Sequence, residues 1–445
     1  MQLRDILFTS IMLALIAYAF RRPWVAILIW AWLSYMNPHR LCYGFAAYNI
    51  PWTTIAAILT IGGLYISGEK NYFPWTRETV LLTIFCLWMT VTTLFGLNQT
   101  GAWPYLDRVL KIQAMIFVTF FAMKGRFRIE ALVWVMALSI AFWGVKGGLW
   151  TLLRGGGGHV EGPVNSMIFG NNELALALVM VLPMISYLQL QNTNKRIRWA
   201  LTGTQILCVV GIVGTYSRAG FLALCVMWAL QWWKSRHKLI LAMAVVLVAP
   251  PIIYFMPHAW LERMHTITNT SEDTMDGSVK GRLNAWRTGI NIAKDHPIVG
   301  GGFKVLNSPV FAQYSPDPKD QHDAHSIYIE TLTEQGFPGF LMFMGLGVFT
   351  WFTHRRVVKM ARRLPELQWA SDLVTHVQLG LIGYAVGGAF AGLAYFDLPY
   401  HMMSVIVLCG VFAKDAVRAA ARASAQAAWE AQSAQAPPEL AVQEA

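Results

Sequence analysis

The longest hydrophilic stretch of the chain closes with two histidines, in Gln321-His322-Asp323-Ala324-His325-Ser326-Ile327-Tyr328. An imidazole has an unperturbed pKa of about 6.5, so either ring could take a proton from a hydroxyl near neutral pH. The placing of Asp323 between them also raises a metal site. Metal sites need three or four converging ligands, however, and only two imidazoles and one carboxylate are at hand. A general base is the expectation, and no metal ligand is assigned. Earlier in the same stretch lies Lys280-Gly281-Arg282-Leu283-Asn284-Ala285-Trp286-Arg287. Arg282 and Trp286 are four apart and share a helix face, whereas Arg287 points elsewhere. A helix opening near Gly281 would also aim free N–H groups at an anion. The same segment reads equally well as an ordinary basic amphipathic helix.

Arg218 sits in Thr215-Tyr216-Ser217-Arg218-Ala219-Gly220, a short break between two apolar runs. It is either an interfacial arginine snorkelling to water or an anion clamp, since guanidinium binds phosphate oxygens bidentately. Lys146 poses the same choice about two turns inside an apolar span. The glycines of His296-Pro297-Ile298-Val299-Gly300-Gly301-Gly302-Phe303 lack the Lys-Ser/Thr of a phosphate loop. They read as a sharp return of the chain. Arg154-Gly155-Gly156-Gly157-Gly158 reads as a flexible loop.

These residues must be positioned by membrane helices. The chain has 445 residues, 56% hydrophobic and only 13% charged, with 19 Trp; a soluble domain carries about 25% charged residues. The composition excludes disorder, collagen and a small disulfide scaffold. The fold class is an all-α polytopic membrane protein. Apolar runs of roughly 20 residues are long enough to cross a bilayer. Candidate spans are 3–20, 23–36, 51–68, 79–97, 109–123, 129–153, 168–190, 199–216, 219–233, 238–256, 336–353, 372–395 and 400–413. The first two are short and separated only by Arg21, Arg22 and Pro23, so about 12 full crossings are expected.

The formal charge of +11 gathers in short clusters such as Lys195-Arg196-Ile197-Arg198 and His354-Arg355-Arg356. That is the pattern that sets membrane orientation, so nucleic acid is not an expected partner and membrane lipid is. Cytoplasmic clusters leave 154–167, 216–219, 257–335 and 396–400 on the outer side. The organisation is then an N-terminal membrane region 1–165, central helices 166–256, one long outer loop 257–335 containing helices, C-terminal helices 336–413, and an Ala-rich cytoplasmic tail 414–445. The cysteines Cys42, Cys86, Cys208, Cys225 and Cys409 form no CxxC or Cys/His cluster and read as buried small hydrophobes.

In order along the chain stand Gly170-Asn171-Asn172-Glu173 at an outer span start, Ser217-Arg218, Arg282-x-x-x-Trp286 and Pro297-x-x-Gly300-x-Gly302. His325-Ser326-x-Tyr328 and Glu334-x-Gly336-x-x-Gly339 follow. This order resembles the O-antigen ligase family over roughly 165–410. The N-terminal third, with Pro38-His39-Arg40 and Lys146-Gly147-Gly148, resembles a subgroup often described as O-glycosylation ligases.

The resemblance implies a bacterial inner-membrane glycosyltransferase whose site faces the periplasm. It would move a whole glycan from undecaprenyl pyrophosphate to a sugar hydroxyl of lipid A–core, inverting the anomeric centre without metal, ATP, nucleotide sugar or other cofactor. By the same resemblance His325 is the base, and Arg218 and Arg282 hold the pyrophosphate. Lys280, Arg287 and Lys146 are further cationic candidates, and His322, Tyr328, Trp286 and Asn172 auxiliary ones. His322 competes with His325, and Lys280 or Arg287 could replace Arg282. An O-antigen polymerase and a protein O-oligosaccharyltransferase share the donor. A transporter of lipid-linked sugars would also need cations in a bundle, but not the outer loop with His325.

Overall fold

The computed structural model describes residues 3–45, 49–66, 72–234, 238–239, 243 and 277–434. Among them the chain is helical, with no strand. The expected span 238–256 and the loop start 257–276 fall almost entirely outside the described residues.

Helices α1 (Leu3–Arg21) and α2 (Trp24–Tyr35) are separate, broken at Arg22-Pro23. They are followed by α3 (Trp52–Ile66), α4 (Arg77–Leu94), α5 (Gln99–Ala122) and α6 (Arg126–Leu153). Next come α7 (Asn171–Gln191), α8 (Lys195–Gly214) and α9 (Arg218–Lys234). The hydrophilic stretch contributes α10 (Gly277–Asp295) and α11 (Ser308–Tyr314), and the chain continues through α12 (Ile327–Ala361), α13 (Gln368–Gly387) and α14 (Asp397–Ala434).

Among the described residues, seven helical stretches are long and apolar enough to cross a membrane: α1, α4, α6, α7, α8, α12, and Pro365–Phe390 around α13. The other expected crossings that lie within the described residues fall on helices that are short or carry charge. Helices α2 and α3 have 12 and 15 residues. Asp107, Arg108 and Lys111 lie within α5. Helix α14 runs unbroken from Asp397 to Ala434, so the expected last span and the start of the tail are one helix.

The core is centred on α7, whose apolar window is 78% buried, the highest share of the seven. It packs against α13, α8, α6 and α9. In a bilayer, helix association depends on close packing and interhelical hydrogen bonds rather than on expelling water. Both devices are present. Helices α6 and α8 meet through small residues, where a Cβ on Gly148 would lie 2.1 Å from the Leu207 carbonyl oxygen. Helices α2, α5 and α14 are joined by polar groups: Ser34 Oγ donates to Asp397 at 2.5 Å, Tyr35 OH lies 2.6 Å from His401 Nδ1, and Thr119 Oγ1 of α5 lies 3.3 Å from His401 Nε2. Of the five cysteines, four are buried as expected, while Cys225 on α9 is exposed. On a span, outward-facing apolar positions meet lipid and need no burial.

The segment after α10 is held by its glycines against two helix breaks. Gly301 N donates to Thr333 O at 2.8 Å and Gly302 N to Glu334 O at 3.0 Å, while Leu97 N donates to Gly301 O at 2.8 Å. Gly336 breaks the regular geometry of α12 with φ +67°. A Cβ there would lie 2.2 Å from the Ile298 carbonyl oxygen, and one on Gly300, at φ +64°, would lie 2.6 Å from Gly336 N. This is the sharp return expected of the glycines, and it anchors the hydrophilic stretch to the end of the helix bundle.

Candidate active site

His325 precedes α12 in a left-handed backbone conformation, φ +42°. That turn directs its ring to the first turn of α7, where His325 Nδ1 lies 3.4 Å from Glu173 Oε1. The side chains are 37% and 13% exposed, so the pair is partly shielded from water yet reachable. The hydrogen bond to Glu173 raises the His325 pKa above its ordinary value; burial opposes it, the Glu173 charge reinforces it, and the Arg282 charge opposes it. A carboxylate at Nδ1 favours the tautomer with its proton there, leaving the Nε2 lone pair available as a base. A Cβ on Gly170 would fall 2.1 Å from Glu173 Oε2, so a larger residue there would shift that carboxylate.

Two structures hold this pair in place. The first is the turn before α9. Ser217 Oγ donates to Asn172 Oδ1 at 2.7 Å, and Asn171 Nδ2 donates to the Thr215 carbonyl at 2.9 Å. Tyr216, at φ +57°, donates its hydroxyl to Gly156 O at 2.6 Å and lies 4.7 Å from the His159 ring. The Gly-rich segment expected to be a loose loop is thus bonded to the turn that carries Arg218. Arg218 itself is half-buried at the first position of α9. The turn and the start of α7 are one bonded unit, which brings Asn172, Glu173 and Ser217-Arg218 together.

The second is α10. Trp286 Nε1 donates to the Ala324 carbonyl at 2.7 Å, and its ring stacks on Phe390 with centroids 6.2 Å apart. Trp286 therefore pins the residue immediately before His325. Arg282, one turn earlier and half-buried, is near enough for its charge to oppose protonation of His325. Helix α10 already includes Gly277, which corrects the expected opening near Gly281. Gly281 lies inside the helix and makes room for the His322 ring, whose Cδ2 would be 2.1 Å from a Cβ.

The other candidates stand apart. His322 pairs with Asp320 at 2.9 Å and so engages a different carboxylate from His325. Lys280 and Arg287 are exposed. Lys146 is exposed with its amine 4.8 Å above the Trp143 ring. Tyr328 donates to the Ala385 carbonyl at 2.6 Å, which ties α12 to α13.

Sequence reasoning left out three groups behind His325. Lys304 N donates to Glu334 Oε1 at 2.9 Å, its amine lies 4.4 Å from the Tyr105 ring centre, and Ala394 N donates to Glu330 Oε2 at 3.3 Å. Burial disfavours the Lys304 charge, but Glu334, Glu330 and Asp323 outweigh it and the amine's pKa is raised. The available signal was the i,i+4 spacing of Glu330 and Glu334, which puts both carboxylates on one helix face. Glu173 was legible as the last residue of the Gly170-Asn171-Asn172-Glu173 motif and as an acid in the first turn of a helix, but the sequence assigns it no role.

The helices and the apolar surface define a multi-pass membrane protein, and the polar groups gather where the hydrophilic stretch folds onto one end of the bundle. Residues 203–344 match the O-antigen ligase family, and residues 3–193 match a family of unknown function. The match over residues 203–344 supports a likeness to the O-antigen ligase family, a family of glycosyltransferase-type ligases acting on lipid-linked glycans. A search of curated proteins finds no match. The ligase match takes in Arg218, Arg282 and His325, whereas Glu173 falls in the other matched region. The candidate site thus draws on both parts of the chain.

Proposed function

We propose that the chain is an O-antigen ligase. It would transfer a glycan en bloc from undecaprenyl pyrophosphate to a hydroxyl of lipid A–core, on the periplasmic side of a bacterial inner membrane crossed about 12 times. The observation that carries this reading is the partly shielded His325–Glu173 pair beside the Arg282 charge. His325 Nε2 takes the proton of the acceptor hydroxyl as that oxygen bonds to the anomeric carbon. The bond from that carbon to the pyrophosphate oxygen breaks, and its electron pair leaves with the undecaprenyl pyrophosphate. Glu173 stabilises the imidazolium formed at His325. Negative charge grows on the leaving group, and Arg282 and Arg218 would offset it. A glycosyl pyrophosphate is already activated, so no separate acid is required.

The test is a transfer assay with purified protein, undecaprenyl-pyrophosphate-linked glycan, and EDTA present. Glycan appearing on lipid A–core, and lost in His325→Ala, supports the ligase. Longer lipid-linked glycan without lipid A–core would make the chain a polymerase. Glycan on Ser or Thr of a supplied protein would make it a protein O-oligosaccharyltransferase. Movement of the donor without covalent change would make it a transporter.

A further inference from the structure

At the end of the bundle away from His325, the structure forms a cavity of about 760 Å³ between the start of α4, the end of α12 and the middle of α14. Arg356 lies 20 residues beyond Gly336 on α12, about 30 Å at the helical rise of 1.5 Å per residue. The cavity is therefore a bilayer thickness from the candidate active site and shares no residue with it. Six cations line it, Arg77, Arg356, Lys359, Lys414 and Arg418 from three helices and Arg363 from the turn after α12.

Only two carboxylates, Glu78 and Asp415, accompany them. Glu78 is 2% exposed, accepts a hydrogen bond from Thr353 Oγ1 at 2.5 Å, and lies 3.8 Å from Arg77. Its charge is thus spent on the wall of the cavity rather than on the other cations. Arg77 is further held with its guanidinium 5.0 Å from the Phe349 ring centre. Among the described residues, none of the other five cations stands in an ion pair. The remaining wall is apolar, from Trp75, Met360, Val407 and Val411.

A concave wall of apolar side chains rimmed by cations, at the depth where a span meets its interface, complements an anionic amphiphile. Juxtamembrane cations are attracted to anionic lipid, and basic pockets between spans take phosphorylated headgroups. The cations stand on three separate helices, so a headgroup with two phosphates engages opposite walls together, which a single phosphate does not. We propose that this cavity binds a diphosphate phospholipid of the cardiolipin class, with its phosphates on the cations of α4, α12 and α14 and its acyl chains along the apolar wall.

The test is native mass spectrometry on the full chain in detergent, titrated with cardiolipin, phosphatidylglycerol or phosphatidylcholine. Cardiolipin should bind at least tenfold more tightly than phosphatidylglycerol. Each neutralised cation should weaken it about fivefold. The combined variant Arg356→Gln, Lys359→Gln, Arg418→Gln should therefore lose about a hundredfold. An equal charge change at exposed Lys195, Arg196 and Arg198 should cost less than about threefold. Equal losses in the two variants would reduce the effect to diffuse attraction and overturn the site. So would the absence of a cardiolipin preference in the unaltered chain. Displacement of cardiolipin by millimolar inorganic pyrophosphate would mark a free-phosphate site and overturn the lipid. Those last two measurements need no variant.

Discussion

Replacing Glu173 by Gln keeps the size and a polar contact with His325 but removes the charge. At the observed 3.4 Å, two unit charges attract by about 5 kcal/mol at an effective dielectric constant of about 20, and by about 1 kcal/mol in bulk water. The His325 side chain is 37% exposed, so solvent screening places the pair in the lower part of that interval. A hydrogen bond to a charged group contributes about 1.5–3 kcal/mol net. Taking about 2 kcal/mol of lost imidazolium stabilisation, kcat should fall about 30-fold.

The pH profile separates this from a merely structural effect. A base works only when neutral, so activity is lost as pH falls through the raised His325 pKa. Without the carboxylate, burial and Arg282 both act to lower that pKa. The acid limb should then move to lower pH, and the deficit should shrink in acid. The assay is initial transfer rate against pH for both proteins at saturating donor. An unchanged acid limb, or one moved to higher pH, would refute the assignment of Glu173 as the group that holds the imidazolium.

Removing the base altogether, in His325→Ala, should lower transfer by about 10²–10⁴-fold while donor binding persists in a lipid-binding assay. His322→Ala should stay within about threefold, because its partner is Asp320 and not Glu173. Arg282→Ala should reduce kcat about a hundredfold. It should also move the acid limb to higher pH, opposite to Glu173→Gln, since the guanidinium opposes protonation of His325. Trp286→Phe preserves an aromatic ring against Phe390 but deletes the bond to the Ala324 carbonyl; kcat should drop with little change in donor KM. Gly336→Ala places a Cβ 2.2 Å from Ile298 O at a positive φ. The left-handed conformation alone costs about 1–3 kcal/mol, and a lowered thermal midpoint in detergent would register it.

Helical class and membrane character are legible in the chain because they are set by composition and local periodicity. A run of apolar residues is a helix that faces lipid or packing whatever its neighbours are. Short helices such as α2, and charged ones such as α5, blur that reading, since their membrane depth depends on what surrounds them. Arg282, Trp286 and His325 were also legible as candidates, because their residue types limit the chemistry available to them.

Which groups meet was decided by tertiary structure. Glu173 stands in a recognisable motif at a helix start, yet it becomes His325's partner only because α7 is the central pillar against which the hydrophilic stretch closes. His322 and His325 are chemically alike and three residues apart, yet the left-handed turn at His325 and the packing of His322 over Gly281 send them to different carboxylates. The basic clusters at the other end predicted orientation, but their convergence on one cavity depends on α4, α12 and α14 being neighbours. Local sequence determines what each side chain can do, whereas electrostatic partnership falls off within a few ångströms and so exists only once the chain has folded.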